Sequence, residues 1–174
     1  MRARLCSTSL VCLALLGCEA GGGGEDGAGE TGSASVDEDA IVTAALDYSS
    51  YEQIDAAAMA SAHGLADTVH IWVPPDHAPA YRAVDPDDAE ASAGFDPGTI
   101  LVKEHLDAGG ESVGLTVMYK GEPGYDPEHG DWWWGNLALD GTINDGGAVD
   151  YCIACHEPRA DADWVFGVAP EDQS

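Results

Sequence analysis

Apolar and polar residues alternate from Thr68 to Val73, with Val69, Ile71 and Val73 sharing one parity in a β-branched run, which predicts a strand ended by Pro74-Pro75. Thr99 to Leu106 and Ser112 to Lys120 read the same way, and Asp107-Ala108-Gly109-Gly110 between them is a hairpin turn. A further strand is expected from Asp131 to Leu139, ended by Asp140-Gly141. Ahead of the strands the pattern changes. Ala40 to Leu46 and Tyr51 to Ala62 are rich in Ala, with Ile41, Ile54 and Met59 interspersed, and predict two helices broken near Ser49-Ser50, the second stopped by Gly64. Asp76 is placed to cap a short helix reaching about Val84. An acidic loop from Asp85 to Gly98, carrying Pro86 and Pro97, leads into the next strand. The expected class is α+β, mainly antiparallel β-sheet with N-terminal helices.

The organisation around this core is simple. Arg2 and Arg4, the apolar run Leu10 to Leu16 and then Gly17-Cys18 have the charged, apolar and small-residue parts of a secretory signal, too short to span a bilayer as a stable helix. Leu15-Leu16-Gly17-Cys18 resembles a bacterial lipobox, which implies cleavage before Cys18 and lipidation of that residue. More than one acyl chain would give stable membrane anchoring, since each buried methylene contributes about 0.8 kcal/mol. Residues 1–17 are thus expected to be a lipoprotein-type signal peptide, residues 18–39 a flexible Gly-rich acidic tether, and residues 40–174 one domain. The expected location is outside the cytoplasm, on the periplasmic side of a membrane or on the cell surface.

Charge changes the picture of partners. The 174 residues hold 32 acids against 6 bases, a net −26 that would repel phosphate backbones and excludes nucleic acid as a partner. It favours neutral or cationic small molecules and basic proteins. Beyond Arg2 and Arg4 the only bases are Arg82, Lys103, Lys120 and Arg159.

The chemistry is concentrated in Cys152-Ile153-Ala154-Cys155-His156. In an exported chain a C-x-x-C-H string reads as an attachment site for c-type haem: two thiols one helical turn apart add to two vinyl groups, and the adjoining imidazole ligates the iron. Cys152 and Cys155 are the candidate thioether anchors and His156 the candidate axial ligand of one covalent haem c. A redox Cys pair is the alternative. The count of cysteines argues against it: Cys6 and Cys12 lie in the signal, Cys18 takes lipid, and no pair is left for a bridge. Only 18 residues follow His156 and none is Met, unlike the helical electron-transfer cytochromes, and the predicted strands contradict a four-helix bundle.

Ser61-Ala62-His63-Gly64, Val69-His70-Ile71-Trp72-Val73, Phe95-Asp96-Pro97-Gly98-Thr99-Ile100-Leu101-Val102-Lys103-Glu104, Val117-Met118-Tyr119-Lys120, Asp131-Trp132, the haem motif and Asp163-Trp164-Val165-Phe166 come in an order and spacing that resembles cytochrome P-460. The resemblance runs from about Ser61 to Phe166. It implies a β-sheet protein that commonly forms a homodimer. It also implies one of two activities: hydroxylamine oxidation at a haem cross-linked to a lysine, with a distal carboxylate relaying protons, or nitric oxide and carbon monoxide binding without that link, as in the β-type cytochromes c-prime. By motif position Lys103 is the candidate cross-link. Among the acids from Glu122 to Asp131 is the expected distal carboxylate.

Other residues stay open at this level. Strand alternation puts Lys103 with Leu101 and His105, and Lys120 with Thr116 and Met118, so either lysine is able to face a haem; the alternative for Lys103 is an ion pair with Glu104 or another acid. His63, His70, His77, His105, His129 and Met118 are candidate sixth ligands. Two of Trp132, Trp133 and Trp134 are expected to pack inward and the third to face outward. Arg159 is a candidate partner of a haem propionate or a surface ion pair. Three functions compete: a hydroxylamine-oxidising enzyme serving a redox partner protein, a diatomic gas binder, and a six-coordinate electron carrier.

Overall fold

The structure, a computed structural model, describes residues 34–90 and 94–174. The expected signal peptide, Cys18 and most of the expected tether lie outside the described residues. The described residues confirm the α+β class: one antiparallel sheet of seven strands in the order β1-β3-β4-β5-β6-β7, with β2 also paired to β3. The strands are β1 (Glu52–Gln53), β2 (Met59–Ala60), β3 (Thr68–Val73), β4 (Ile100–Leu106), β5 (Ser112–Lys120), β6 (Trp132–Leu137) and β7 (Ile143–Gly147). Among described residues no helix is long and apolar enough to cross a membrane.

The sheet is covered on both sides. Helix α1 (Glu38–Leu46), capped by the Asp37 carboxylate accepting from the Ala40 amide at 3.0 Å, lays Ile41 and Ala45 against Ile100, Val102, Leu115, Val117, Trp133 and Leu137. The opposite face carries Ile71, Val73, Leu101, Trp132 and Trp134, and the chain after β7 packs there through Val149, Trp164 and Val165. Both predicted long strands and their hairpin are present, with Gly110 at φ 82°, a left-handed turn position suited to glycine.

Three sequence expectations are corrected. Tyr51 to Ala62 is not a helix but holds the short strands β1 and β2. Its Ala-rich helical propensity is overridden by pairing to β3 and by Asp55, a fully buried carboxylate that accepts from the Ile71 amide at 2.7 Å and pairs with His70 Nδ1 at 2.6 Å. The helix expected from Asp76 is shorter, α2 (Ala78–Arg82), and His77 stands at its start with no side-chain cap. The third tryptophan does not reach solvent. Trp132 and Trp134 enter one core and Trp133 the other, because α1 roofs the second face. Strand β7 was not expected.

Candidate functional site

The C-x-x-C-H string forms helix α3 (Asp150–His156). At 1.5 Å per residue, Cys152 and Cys155 are separated by roughly 4.5 Å along the axis and share a face with His156, one turn on from Cys152. Both thiols are free. Cys152 is half-buried against the sheet core, and burial pushes its thiol up to about 11, so it stays protonated at neutral pH.

His156 is the most constrained of the three. Its ring lies edge-on to Trp134 (centroids 4.9 Å apart) and Phe166 (5.1 Å). Nδ1 lies 2.7 Å from the Trp164 carbonyl, which only accepts, so Nδ1 carries the proton and Nε2 keeps its lone pair. That hydrogen bond fixes the tautomer and makes Nε2 more basic, the outer-shell pattern of metal-ligating histidines. Burial holds the imidazole neutral, with its pKa lowered to about 4.

The carbonyl is aimed by an unusual piece of backbone. Asp163 and Trp164 both adopt positive φ, 51° and 65°, uncommon for residues with side chains. The turn is held by the Asp163 carboxylate, which accepts from Lys120 Nζ at 2.5 Å, the Phe95 amide at 2.8 Å and Trp132 Nε1 at 3.2 Å. Lys120 is therefore committed behind His156 and is no longer a rival for the ring. A carbonyl is carried by every residue, so the role of Trp164 has no signature in the sequence; the Asp163-Trp164 string in the resemblance was the one pointer.

Lys103 is placed differently. It lies half-buried on β4 with Leu101 and His105, on the sheet face that α3 covers. Burial lowers its ammonium from the usual range, and the nearby Cys155 and Cys152 oppose that shift, so lysine and cysteines share one region. The expected alternative, a pair with Glu104, is ruled out. Glu104 points to the other face, accepting from Tyr48 Oη at 2.8 Å and Trp72 Nε1 at 2.9 Å. Lys103 makes no salt bridge with a described residue. In the register Lys103 opposes Thr116, Thr116 opposes Asn136, and Asn136 opposes Asp145, a polar row across four strands.

The other candidates divide between this site and elsewhere. His63 and His105 join it, their rings 5.1 Å apart. His70 belongs to Asp55, and His129 to Asp126 at 2.8 Å. Met118 packs partly buried against the core beside Trp134. Arg159 is neither a surface ion pair nor free for a propionate: it is buried and donates to the backbone carbonyls of Asp85, Pro86 and Val165. Of the acids from Glu122 to Asp131, Glu128 lines a cleft with Ile153, Ala154 and Trp164 beside α3, and two others are committed. Asp126 is taken by His129, whose ring rests on Trp164 behind His156, and Asp131 accepts from the Gly124 and Asp126 amides. The acid whose charge acts on Cys152 is Asp145, which accepts from Tyr151 Oη at 3.0 Å.

The donor set fits a covalent haem. Two thiols and an imidazole Nε2 share one helix face, and beside them, among the described residues, Lys103 has no salt-bridge partner and the buried Trp134 Nε1 no hydrogen-bond partner. No curated protein matches the chain significantly. The family model Cytochrome P460 matches residues 46–167, which takes in β1 to β7, Lys103, α3 and the Asp163-Trp164 turn. The chain belongs to the cytochrome P460 family and is a c-type haem protein.

Proposed function

We propose that the chain is an exported, lipid-anchored enzyme that oxidises hydroxylamine and passes the electrons to a partner redox protein. Cys152 and Cys155 would hold one haem by thioethers, and His156 would ligate its iron through Nε2. When bound, the haem supplies a metal centre able to accept electrons from a small nitrogen compound.

The observation that carries the reading is Lys103. An amine without a salt-bridge partner among the described residues, its pKa depressed by burial, is a better nucleophile than a surface lysine, and it shares its region with both cysteines. A lysine link to the haem edge replaces a ring C–H by a C–N bond, so it requires such an amine together with a two-electron oxidant of the peroxide class, with the two protons passing to solvent. The surrounding row supports the enzyme reading, because Thr116, Asn136 and Asp145 bring polar side chains to the face that carries Lys103. Oxidising hydroxylamine removes protons along with electrons, so a base is needed. Asp145, exposed on β7 and steadied by Tyr151, would take them to solvent in place of the acids expected from Glu122 to Asp131.

The test is to purify the full chain from a host competent for cytochrome c maturation and to record its visible spectrum and the masses of its haem-bearing peptides. The reading expects one haem joining the Cys152–Cys155 peptide to the Lys103 peptide, a red-shifted broad Soret band, and hydroxylamine-dependent reduction of an acceptor dye. Lys103→Met should lose the link and the red shift while keeping both thioethers. A wild-type haem held by the cysteines alone, with ordinary five-coordinate bands and tight binding of nitric oxide or carbon monoxide, would establish the gas-binding reading instead.

A further inference from the structure

His63 is a histidine of the site whose Nε2 has no hydrogen-bond partner among the described residues. It lies between β2 and β3, where Ser61 Oγ donates to its carbonyl at 2.8 Å and the Leu65 amide donates to Nδ1 at 3.4 Å. The Leu65 amide only donates, so in that contact Nδ1 accepts and the ring proton sits on Nε2; Ser61 Oγ lies 3.3 Å from the same Nδ1 and, as a hydroxyl, suits either tautomer. Behind it stands His105, almost fully buried, with Nε2 3.2 Å from Thr116 Oγ1 and its ring edge-on to that of His63. Burial lowers both histidines, His105 to about 4, so the pair is neutral at pH 7.

The register places this pair relative to His156. Leu101, Lys103 and His105 follow one another on the same face of β4. His156 packs on Trp134, which opposes Met118, which opposes Leu101. His63 packs on His105. The two histidines therefore stand over rows four residues apart, roughly 13 Å along the strand, with the row of Lys103 and Thr116 between them. Lys103 acts electrostatically on both.

We propose that His63, backed by His105 and Thr116, donates a hydrogen bond from Nε2–H to a small ligand on the haem face away from His156. The inference rests on the haem site proposed above and adds to it a residue that touches the ligand. The class it suits is a small molecule with a terminal lone pair, such as hydroxylamine or a bound diatomic. His105 is a positioning residue: its ring sets the tilt of His63 and blocks retreat toward the sheet.

Carbon monoxide on the reduced holoprotein is the probe, since its C–O stretch reads a nearby donor without any turnover. The full chain and the variants His63→Leu and His63→Gln are compared by infrared spectroscopy and by carbon monoxide affinity, with haem content and melting temperature recorded for each. The expected result is a higher C–O frequency in His63→Leu and about fivefold weaker affinity, the loss of one neutral hydrogen bond. His63→Gln, which keeps an N–H donor, should recover most of both. Equal frequency and affinity in wild type and His63→Leu would overturn the inference while leaving the haem site standing. A six-coordinate wild type that turns five-coordinate in His63→Leu would overturn it too, because His63 would then be an iron ligand. Wild-type protein without haem removes both this inference and the reading beneath it, whereas haem-loaded protein that fails to oxidise hydroxylamine leaves the hydrogen bond intact.

Discussion

Asp163→Ala is the sharpest test of how His156 is held. The Asp163 carboxylate and Lys120 are 12% and 13% exposed at the side chain, so they form a largely buried pair and not a solvated one. Removing one partner of such a pair costs about 3–5 kcal/mol, because the remaining charge stays desolvated. The Phe95 amide and Trp132 Nε1 lose an acceptor as well, although Trp132 keeps the Asp163 backbone carbonyl at 2.9 Å. Alanine also tolerates the positive φ less well than aspartate, by about 1 kcal/mol. These losses share the same atoms and do not add, so the expected destabilisation is about 4 kcal/mol, measured by urea denaturation of the holoprotein. Asp163→Asn keeps the shape and an acceptor but leaves the same uncompensated ammonium, so it should lose somewhat less, and still most of the same stability. Pairing Asp163→Asn with Lys120→Met should recover stability relative to Asp163→Asn alone, since the uncompensated ammonium goes. Asp163→Ala also acts on the iron: a slack Trp164 carbonyl weakens its bond to His156 Nδ1, makes Nε2 a poorer donor and raises the haem potential. An Asp163→Ala protein within about 1 kcal/mol of wild type, with an unchanged potential, refutes the whole account.

Two further outcomes follow from other parts of the fold. His105 binds its proton only near pH 4 when folded, against an ordinary 6.5, so as pH falls the unfolded chain is protonated first and stability drops between pH 6.5 and 4. His105→Gln should flatten that decline by up to about 3 kcal/mol, at 1.4 kcal/mol per pH unit, and identical wild-type and variant slopes over this range would sink the assignment. Glu104→Gln leaves the Tyr48 hydroxyl and Trp72 indole competing for one acceptor and should cost about 1–3 kcal/mol by thermal denaturation. Because Glu104 lies on the far face, the visible spectrum should not change; a spectral shift would contradict the two-faced sheet.

What was legible in the sequence was local. The β4–β5 hairpin announces itself by alternation and a glycine turn, and the C-x-x-C-H string by its spacing. Lys103 was placed on the correct face by parity alone. The failures lie where contacts distant in the chain decide. Ala56 to Ala58 favour helix, yet Asp55 and the edge of β3 draw their flanks into the sheet. Strand β7, Ile143-Asn144-Asp145-Gly146-Gly147, has no alternation to detect and exists through its partner β6. Arg159 looked like a surface or propionate residue because only the fold brings the Asp85 and Pro86 carbonyls to it. The hold on His156 was invisible for the same reason: Phe95, Lys120 and Asp163 converge from 68 and 43 residues apart.

The tryptophan triplet of β6 poses a problem of addressing. A strand is normally indexed by apolarity, since a slip of one residue moves its greasy side chains to the wrong face. Three identical residues in succession, buried on both faces, erase that index: after such a slip a tryptophan would still meet each core. The address is written instead in the polar tips and in one missing side chain. Trp132 Nε1 finds Asp163 on one face, Trp133 Nε1 finds Glu38 at 2.9 Å on the other, and Gly135 leaves room for the Trp133 ring, which a Cβ there would overlap. Glu38 and Asp163 thus act as index marks at opposite ends of the domain, and the strand that seats His156 is read into position by two carboxylates and not by its hydrophobic content.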